Sequence, residues 1–364
     1  MEQFLLTFGI GLAFFFAFVS GVHDGGNLIA SSVLSRALTP RSALALATGA
    51  VFAGPLLYGS AVVLTLRDVL LESTMLKPSN AVPLCLFLVS GVASASLWNL
   101  LTWWVGKPSG SSYPLLGGLL GGAAAAFGFE MIHASTLLCK VILFLLLCPV
   151  LGAVLARLGM TMKSLFENDE NPSPLRPEGK GGGGNPGARW RLVHDLSLLL
   201  EGMGHGANNA QKSAAVIFML LLSTGSSGEG QIPFWAILGC SASLATGVPV
   251  GGWKIARILN GKTYNIKPAH SFASQLSAGV VLAAANLLGG FLSPNQLVKA
   301  SFLGTGAGGR KEAPWRILGK SAVMAWLVHL PACALIAAAV HWCASRALGL
   351  GMGSLEAIMG GLGT

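Results

Sequence analysis

The sequence predicts an all-α polytopic membrane protein with inverted-topology repeats, two broken helices and two re-entrant hairpins. Three observations carry that prediction. Apolar residues fill 53% of the 364 positions and charged residues only 10%, with a mean hydropathy of +0.67. Soluble domains carry about 25% charged residues. Two glycine-flanked polar clusters sit inside long apolar segments, in corresponding halves of the chain. They read Ser20-Gly21-Val22-His23-Asp24-Gly25-Gly26-Asn27 and Gly202-Met203-Gly204-His205-Gly206-Ala207-Asn208-Asn209-Ala210-Gln211-Lys212. Finally, the basic residues gather in alternate connections between the apolar runs.

The apolar runs cover residues 5–19, 43–66, 82–105, 137–158, 192–222, 233–259, 274–292 and 318–340. Their lengths cluster around the ~20 residues that cross a bilayer. Met1-Glu2-Gln3 lacks the basic region of a signal peptide, so the first run is expected to remain as a span. Residues 167–189 are polar and rich in Pro and Gly, and read as a flexible cytoplasmic linker. The expected division is a first transmembrane repeat at 1–158, a linker at 159–191 and a second, inverted repeat at 192–364. The 49 glycines suit close helix packing and broken helices. The six cysteines lie in or beside apolar runs with no C-x-x-C pair, and read as small packing residues.

A net charge of +9 raises nucleic acid as a partner, but the distribution of charge argues for the lipid bilayer instead. With the N-terminus outside, 16 of the 23 Lys and Arg fall in connections that would be cytoplasmic. Among them are Arg36 and Arg41, Arg157, Arg189 and Arg191, and Lys254 and Lys267. That bias predicts outside termini and a cytoplasmic linker in a multi-pass plasma-membrane protein. The topology requires two segments that enter and return. One is 82–127, folding back around residues 106–112; the other is 274–306, folding back around 289–295. Irregular backbone at membrane depth must be buried in protein or line a wet cavity.

Ionisable and amide groups are expensive in hydrocarbon and tend to serve binding or transport. Glycines beside them could let a helix unwind and expose backbone groups to an ion. Asp24, Asn27, Asn208, Asn209, Gln211 and Lys212 are candidates on this ground, with Ser111 and Ser112 at the first fold-back and Ser293 and Asn295 at the second. Lys212 either touches substrate, snorkels, or pairs with an acid such as Glu201. His205 reads as a packing or helix-break residue. Glu130, His133 and Glu201 could join a proton route. His23 and Asp24 make a poor catalytic or metal pair, since adjacent helical residues point apart and no third ligand is evident. No nucleophile–base pair stands out, so an enzyme is not expected.

At these residues the chain resembles the inorganic phosphate transporter (PiT) family, over nearly its whole length outside the linker and termini. GVHDGGNLIASSVLSRALTPRSA (21–43) resembles the first family signature and GHGANNAQKSAAVI (204–217) the second. WNLLTWWVGKPSGSSYPLLGGLLG (98–121) resembles the tryptophan-rich helix and serine-rich tip, and GGWKIARILNGK (251–262) the segment after a second-half spanning helix. The resemblance implies a secondary transporter of inorganic phosphate, often a homodimer, coupled to Na+ or H+ and using no other cofactor. It implies substrate binding by Asn27, Ser111, Ser112, Asn208, Gln211, Lys212, Ser293 and Asn295. Coupling would fall to Asp24, Asn209, Gln275 and His23, with Asp24 and Asn209 as the sodium position. Serine hydroxyls, amides and helix N-termini suit a dianion chemically, and Lys212 would partly neutralise it.

The sequence departs from the family pattern where coupling would reside. Asn209 stands at the second-repeat aspartate and Gln275 at a second-half glutamate. Tyr113 replaces the serine-tip histidine, Phe291 replaces a proline, and the second tip reads Ser293-Pro294-Asn295-Gln296 in place of Ser-Thr-Thr-His. Three accounts follow: fewer sodium ions, proton coupling through Asp24 and His23, or another oxyanion such as sulfate, which cannot donate to an acidic acceptor. A membrane sensor that binds an oxyanion without moving it is the rival from another class.

Overall fold

The computed structural model of the chain describes residues 1–70, 81–105, 110–166, 186–226, 232–259, 266–306 and 314–349, and their regular structure is entirely helical. The first half contains α1 (Glu2–Leu34), α2 (Pro40–Leu57), α3 (Ala61–Leu70), α4 (Ala81–Trp104) and α5 (Ser112–Phe127). A short α6 (Ala134–Thr136) passes through a π-helical turn (Leu137–Ile142) into α7 (Leu143–Phe166). The second half contains α8 (Pro186–Ser223), α9 (Phe234–Leu259), α10 (Pro268–Leu287) and α11 (Pro294–Gly304). It ends with α12 (Pro314–Met324), a second π turn (Ala325–His329) and α13 (Leu330–Ala347). Residues 106–109 of the first tip and 167–185 of the linker lie outside the described residues.

Among the described residues five helices are long and apolar enough to cross a membrane, or six if α2 and α3 form one bent span. The run at 43–66 is therefore not the single straight helix its hydropathy suggests. α2 and α3 meet at 67°, after Pro55 and across Gly59, whose φ of +73° is a left-handed geometry that favours glycine. The run at 192–222 lies within α8, whose 38 residues extend about 57 Å at 1.5 Å per residue.

The expected breaks in the two signature helices do not occur. α1 and α8 run through both polar clusters without interruption. The glycines serve helix approach instead of unwinding. A Cβ on Gly21 or Gly25 would run into the α9 backbone at Leu244 or Val248. A Cβ on Gly206 would run into the α2 backbone at Val51. Without those side chains the helices touch backbone to backbone, while each keeps its own hydrogen bonds satisfied inside the bilayer.

The helix pairings come in reciprocal sets. α1 packs on α9 and α2 on α8; α5 packs on α13 and α11 on α7; α4 packs on α13 and α10 on α7. In these pairs α1, α2, α4, α5 and α7 make with the second half the contacts that α8, α9, α10, α11 and α13, taken in order, make with the first. α4 and α5 form one hairpin, α10 and α11 the other. α11 has 11 residues, about 16 Å, half of a ~30 Å hydrocarbon core. The outward faces of α7, the second π turn and α13 are apolar, with Leu143, Leu146, Leu147, Leu327 and Leu335 exposed, as lipid contact demands.

Candidate functional site

Each signature helix presents one polar face. On α1, Ser20, His23, Asp24, Asn27 and Ser31 recur at helical spacing; on α8, His205, Asn209 and Lys212 do the same at i, i+4 and i+7. All are buried except Asn27, which is partly buried. The two faces meet, and the hairpin tips close over them.

The tips bring two helix N-termini together. Ser111 is the N-cap of α5 and Ser293 the N-cap of α11; both are buried. Ser112 Oγ donates to the Leu292 carbonyl at 2.9 Å, and the Tyr113 hydroxyl donates to Gln296 Oε1 at 2.7 Å. The second tip is also held from behind. Phe291 N–H donates to the Lys140 carbonyl (2.9 Å) in the first π turn, and Lys140 Nζ donates to the Leu288 carbonyl (2.9 Å). Thr65 Oγ1 donates to the Gly289 carbonyl at 2.7 Å. Single π turns inside α-helices occur often at functional sites.

Lys212 sits where the tips and α8 converge, with no solvent exposure. Its ammonium donates to Ser112 Oγ (2.7 Å), the Leu292 carbonyl (2.7 Å) and Asn209 Oδ1 (3.1 Å). It also lies 4.6 Å from the Phe291 ring centroid. A cation beside two helix N-termini concentrates positive potential at one buried point. It makes no direct contact with Glu201; its donors all turn to the tips and Asn209.

Asp24 anchors the other end. Its Oδ2 accepts from Asn209 Nδ2 and lies 2.9 Å from His205 Nε2, and its Oδ1 accepts from Asn295 Nδ2. Asn27 Nδ2 donates to Asn295 Oδ1 at 3.0 Å. The amide orientations follow from these second partners: Lys212 needs an acceptor on Asn209, and Asn27 needs one on Asn295. Six sequence-predicted residues thus form one run, Ser112–Lys212–Asn209–Asp24–Asn295–Asn27.

The polar atoms of the expected sodium position, Asp24 and Asn209, are occupied by hydrogen bonds within the protein. A hard cation takes oxygen ligands. Here both carboxylate oxygens face N–H donors, and the Asn209 oxygen faces an ammonium. Among the described residues no group of three His, Cys, Asp or Glu is placed to hold a metal.

Six predicted residues lie outside the run: the N-caps Ser111 and Ser293 at the tips, and four others set further away. His23 Nε2 is 2.6 Å from the Asn99 carbonyl on α4, turned away from Asp24 as adjacent helical positions require. Asn208 Nδ2 donates to Asn286 Oδ1 (2.9 Å) and the Gly290 carbonyl (3.1 Å), tying α8 to the second hairpin. Gln211 Oε1 accepts the Val62 N–H (2.9 Å) at the start of α3. Gln275 accepts from Ser197 Oγ (3.0 Å) and donates to Ser32 Oγ (2.7 Å), in a separate layer.

Sequence reasoning missed His205 as a partner of Asp24. The signal was its spacing from Asn209 and Lys212, which reading the cluster as a helix break discards. It also missed that Tyr113 and Gln296, two departures from the family pattern, bond to each other.

The family model for the phosphate transporter family matches residues 20–177 and 185–337. A probable low-affinity inorganic phosphate transporter of Rhizobium meliloti (strain 1021) is 33% identical over 342 residues, covering 93% of this chain and 96% of the relative. A protein of the same description from Bacillus subtilis (strain 168) is 28% identical, covering 90% and 93%. The solved structure described as the sodium-dependent phosphate transporter superposes with a TM-score of 0.80 at 22% identity, over 94% of this chain and 99% of that one, which is a likeness of fold. The chain belongs to the phosphate transporter family.

Proposed function

We propose that this chain is a secondary transporter that carries inorganic phosphate across the plasma membrane as two inverted repeats, with outside termini and a proton as the driving cation. The observation that carries the reading is the Lys212 ammonium, buried between the N-termini of α5 and α11. A buried cation at two helix N-termini is a place for an oxyanion. The descriptions of the relatives from Rhizobium meliloti and Bacillus subtilis support phosphate as that oxyanion.

Lys212, Ser111, Ser112, Ser293, Asn295 and Asn27 would bind the anion. Ser293 Oγ is buried without a hydrogen-bond partner among the described residues, a donor available to a ligand. Asn208 and Gln211 are positioning residues that fix the second tip and α3. The reciprocal helix pairings support a repeat-against-repeat motion that opens the site alternately. The N–H donors around Asp24 support a proton over sodium as the coupling ion. Binding and release account for the cycle, with no covalent step.

The test is radiolabelled phosphate uptake into proteoliposomes, with sulfate as competitor. Lys212→Met and Ser112→Ala should each cut uptake sharply while unlabelled phosphate outcompetes sulfate. Uptake that is indifferent to both substitutions, or that sulfate blocks better than phosphate does, overturns the assignment.

A further inference from the structure

Glu201 is a buried acid that the site above does not use. It lies on α8 four residues after Ser197 and four before His205, near one face of the helix. Ser197 belongs to the layer that joins Gln275 and Ser32; His205 belongs to the Asp24 site. Glu201 therefore sits about 6 Å along the helix from each layer. It is 1% exposed, and neither carboxyl oxygen has a hydrogen-bond partner among the described residues. The facing helix α10 comes close here: a Cβ on Gly279 would sit 3.0 Å from the Glu201 backbone nitrogen.

The neighbouring elements offer no countercharge. α1 brings His23 and Asp24 to this depth, but His23 meets Asn99 and Asp24 meets His205, Asn209 and Asn295. On α8 the other titratable residues are Arg189, Arg191, His194, Asp195, His205 and Lys212, the last with its ammonium on Ser112, Asn209 and the Leu292 carbonyl; α10 carries His270 in its first turn, and α11 carries Lys299. α2 has Arg41 in its first turn, α3 has Arg67 and Asp68 paired with each other, α4 has no charged residue, and α9 has Lys254 and Arg257 near its end. No ion pair reaches Glu201 from any of them among the described residues. A lone ionised carboxylate at such a position costs several kcal/mol, so the group must be neutralised. A metal cation would need further oxygens around it, and none is bonded there. A proton needs only the carboxyl itself.

We propose that Glu201 is the coupling group of this chain, a carboxyl that takes up one proton and gives it up again in each transport cycle. It would stand in for the acidic residues that Asn209 and Gln275 replace, one on its own helix and the other linked to it through Ser197. The inference rests on the transport reading. The step balances: a proton from the water on one side forms the carboxyl O–H, and release to the other side restores the carboxylate.

The experiment compares the full chain with Glu201→Gln in proteoliposomes. Infrared spectroscopy reads the band of a protonated carboxyl, a pH dye inside the vesicles reads proton entry, and labelled phosphate reads binding, uptake and exchange. The expected result is a carboxyl band at neutral pH that disappears in Glu201→Gln. Phosphate binding and exchange in that variant should stay within about threefold of the original chain, while pH-gradient-driven uptake falls about tenfold or more and internal acidification is lost. Should Glu201→Gln not fold, Glu201→Asp should keep proton entry with a displaced pH profile. A band that survives Glu201→Gln, pH-driven uptake that survives it, or wild-type uptake that follows a sodium gradient without proton entry would each overturn the proposal. Failure of the wild-type chain to bind phosphate would instead overturn the transport reading, and the infrared band would still test Glu201 alone.

Discussion

Replacing Lys212 with methionine probes the heart of the candidate site at similar side-chain length. In the free protein the substitution removes three hydrogen bonds, of 2.7, 2.7 and 3.1 Å. The Leu292 carbonyl keeps Ser112 Oγ as a donor, so the one acceptor left orphaned is Asn209 Oδ1. That costs about 1–3 kcal/mol. Removing a buried cation returns a desolvation cost of comparable size. Fold stability should therefore change little. Phosphate binding has no such compensation. One hydrogen bond to a charged donor contributes about 1.5–3 kcal/mol, and each 1.4 kcal/mol is tenfold, so affinity should fall about 10- to 150-fold. Scintillation proximity binding of labelled phosphate to purified protein measures this, with size-exclusion elution as the check on folding. A well-folded Lys212→Met variant that binds within about twofold of the original chain would refute the placing of the anion at the tips.

Other consequences follow from the same geometry. Asp24→Asn sets three N–H donors around a single amide, with one pair opposed; a stability loss of about 2 kcal/mol in a thermal melt and slower uptake are expected. Asn209→Asp replaces the amide that bridges Asp24 and Lys212 with a second carboxylate. Two carboxylates about 4 Å apart repel by about 4 kcal/mol at an effective dielectric of 20, so this variant should gain a stabilising response to sodium that the original chain lacks, read as a melting temperature that rises with NaCl but not with choline chloride. Gly25→Ala forces a methyl into the Val248 backbone and should lower stability by about 1–3 kcal/mol or prevent folding, measured as yield and melting temperature after extraction. Tyr113→Phe leaves Gln296 Oε1 unsatisfied and should loosen the tips, seen as faster proteolysis or thiol labelling at engineered tip cysteines.

The positions of the spans were legible because hydrocarbon requires long apolar segments, and the candidate site was legible because polar residues inside those segments are few. Six of the named residues join in one hydrogen-bonded run for that reason. Glycine was read less well. Gly21, Gly25 and Gly206 allow either an unwound helix or a tight crossing, and only the partners across the gap, Leu244, Val248 and Val51, decide between them. The distant roles of Asn208, Gln211 and Gln275 were hidden for the same reason. An amide's chemistry is visible in sequence, but whether it faces Asp24, Asn286, Val62 or Ser32 is set by helix rotation. The bend between α2 and α3 was likewise masked by a continuous run of apolar residues.

The bond between Tyr113 and Gln296 has an evolutionary consequence. The two residues lie 183 positions apart, on different hairpins, yet their polar ends meet in one hydrogen bond of 2.7 Å. Changing either alone removes that bond between the tips, a penalty of about 1 kcal/mol that selection would notice. The two sites are thus expected to be inherited as one character. A lineage that exchanges histidine for tyrosine at the first tip would need a matching acceptor at the second within a few generations of drift, or a spare margin of stability to wait for it.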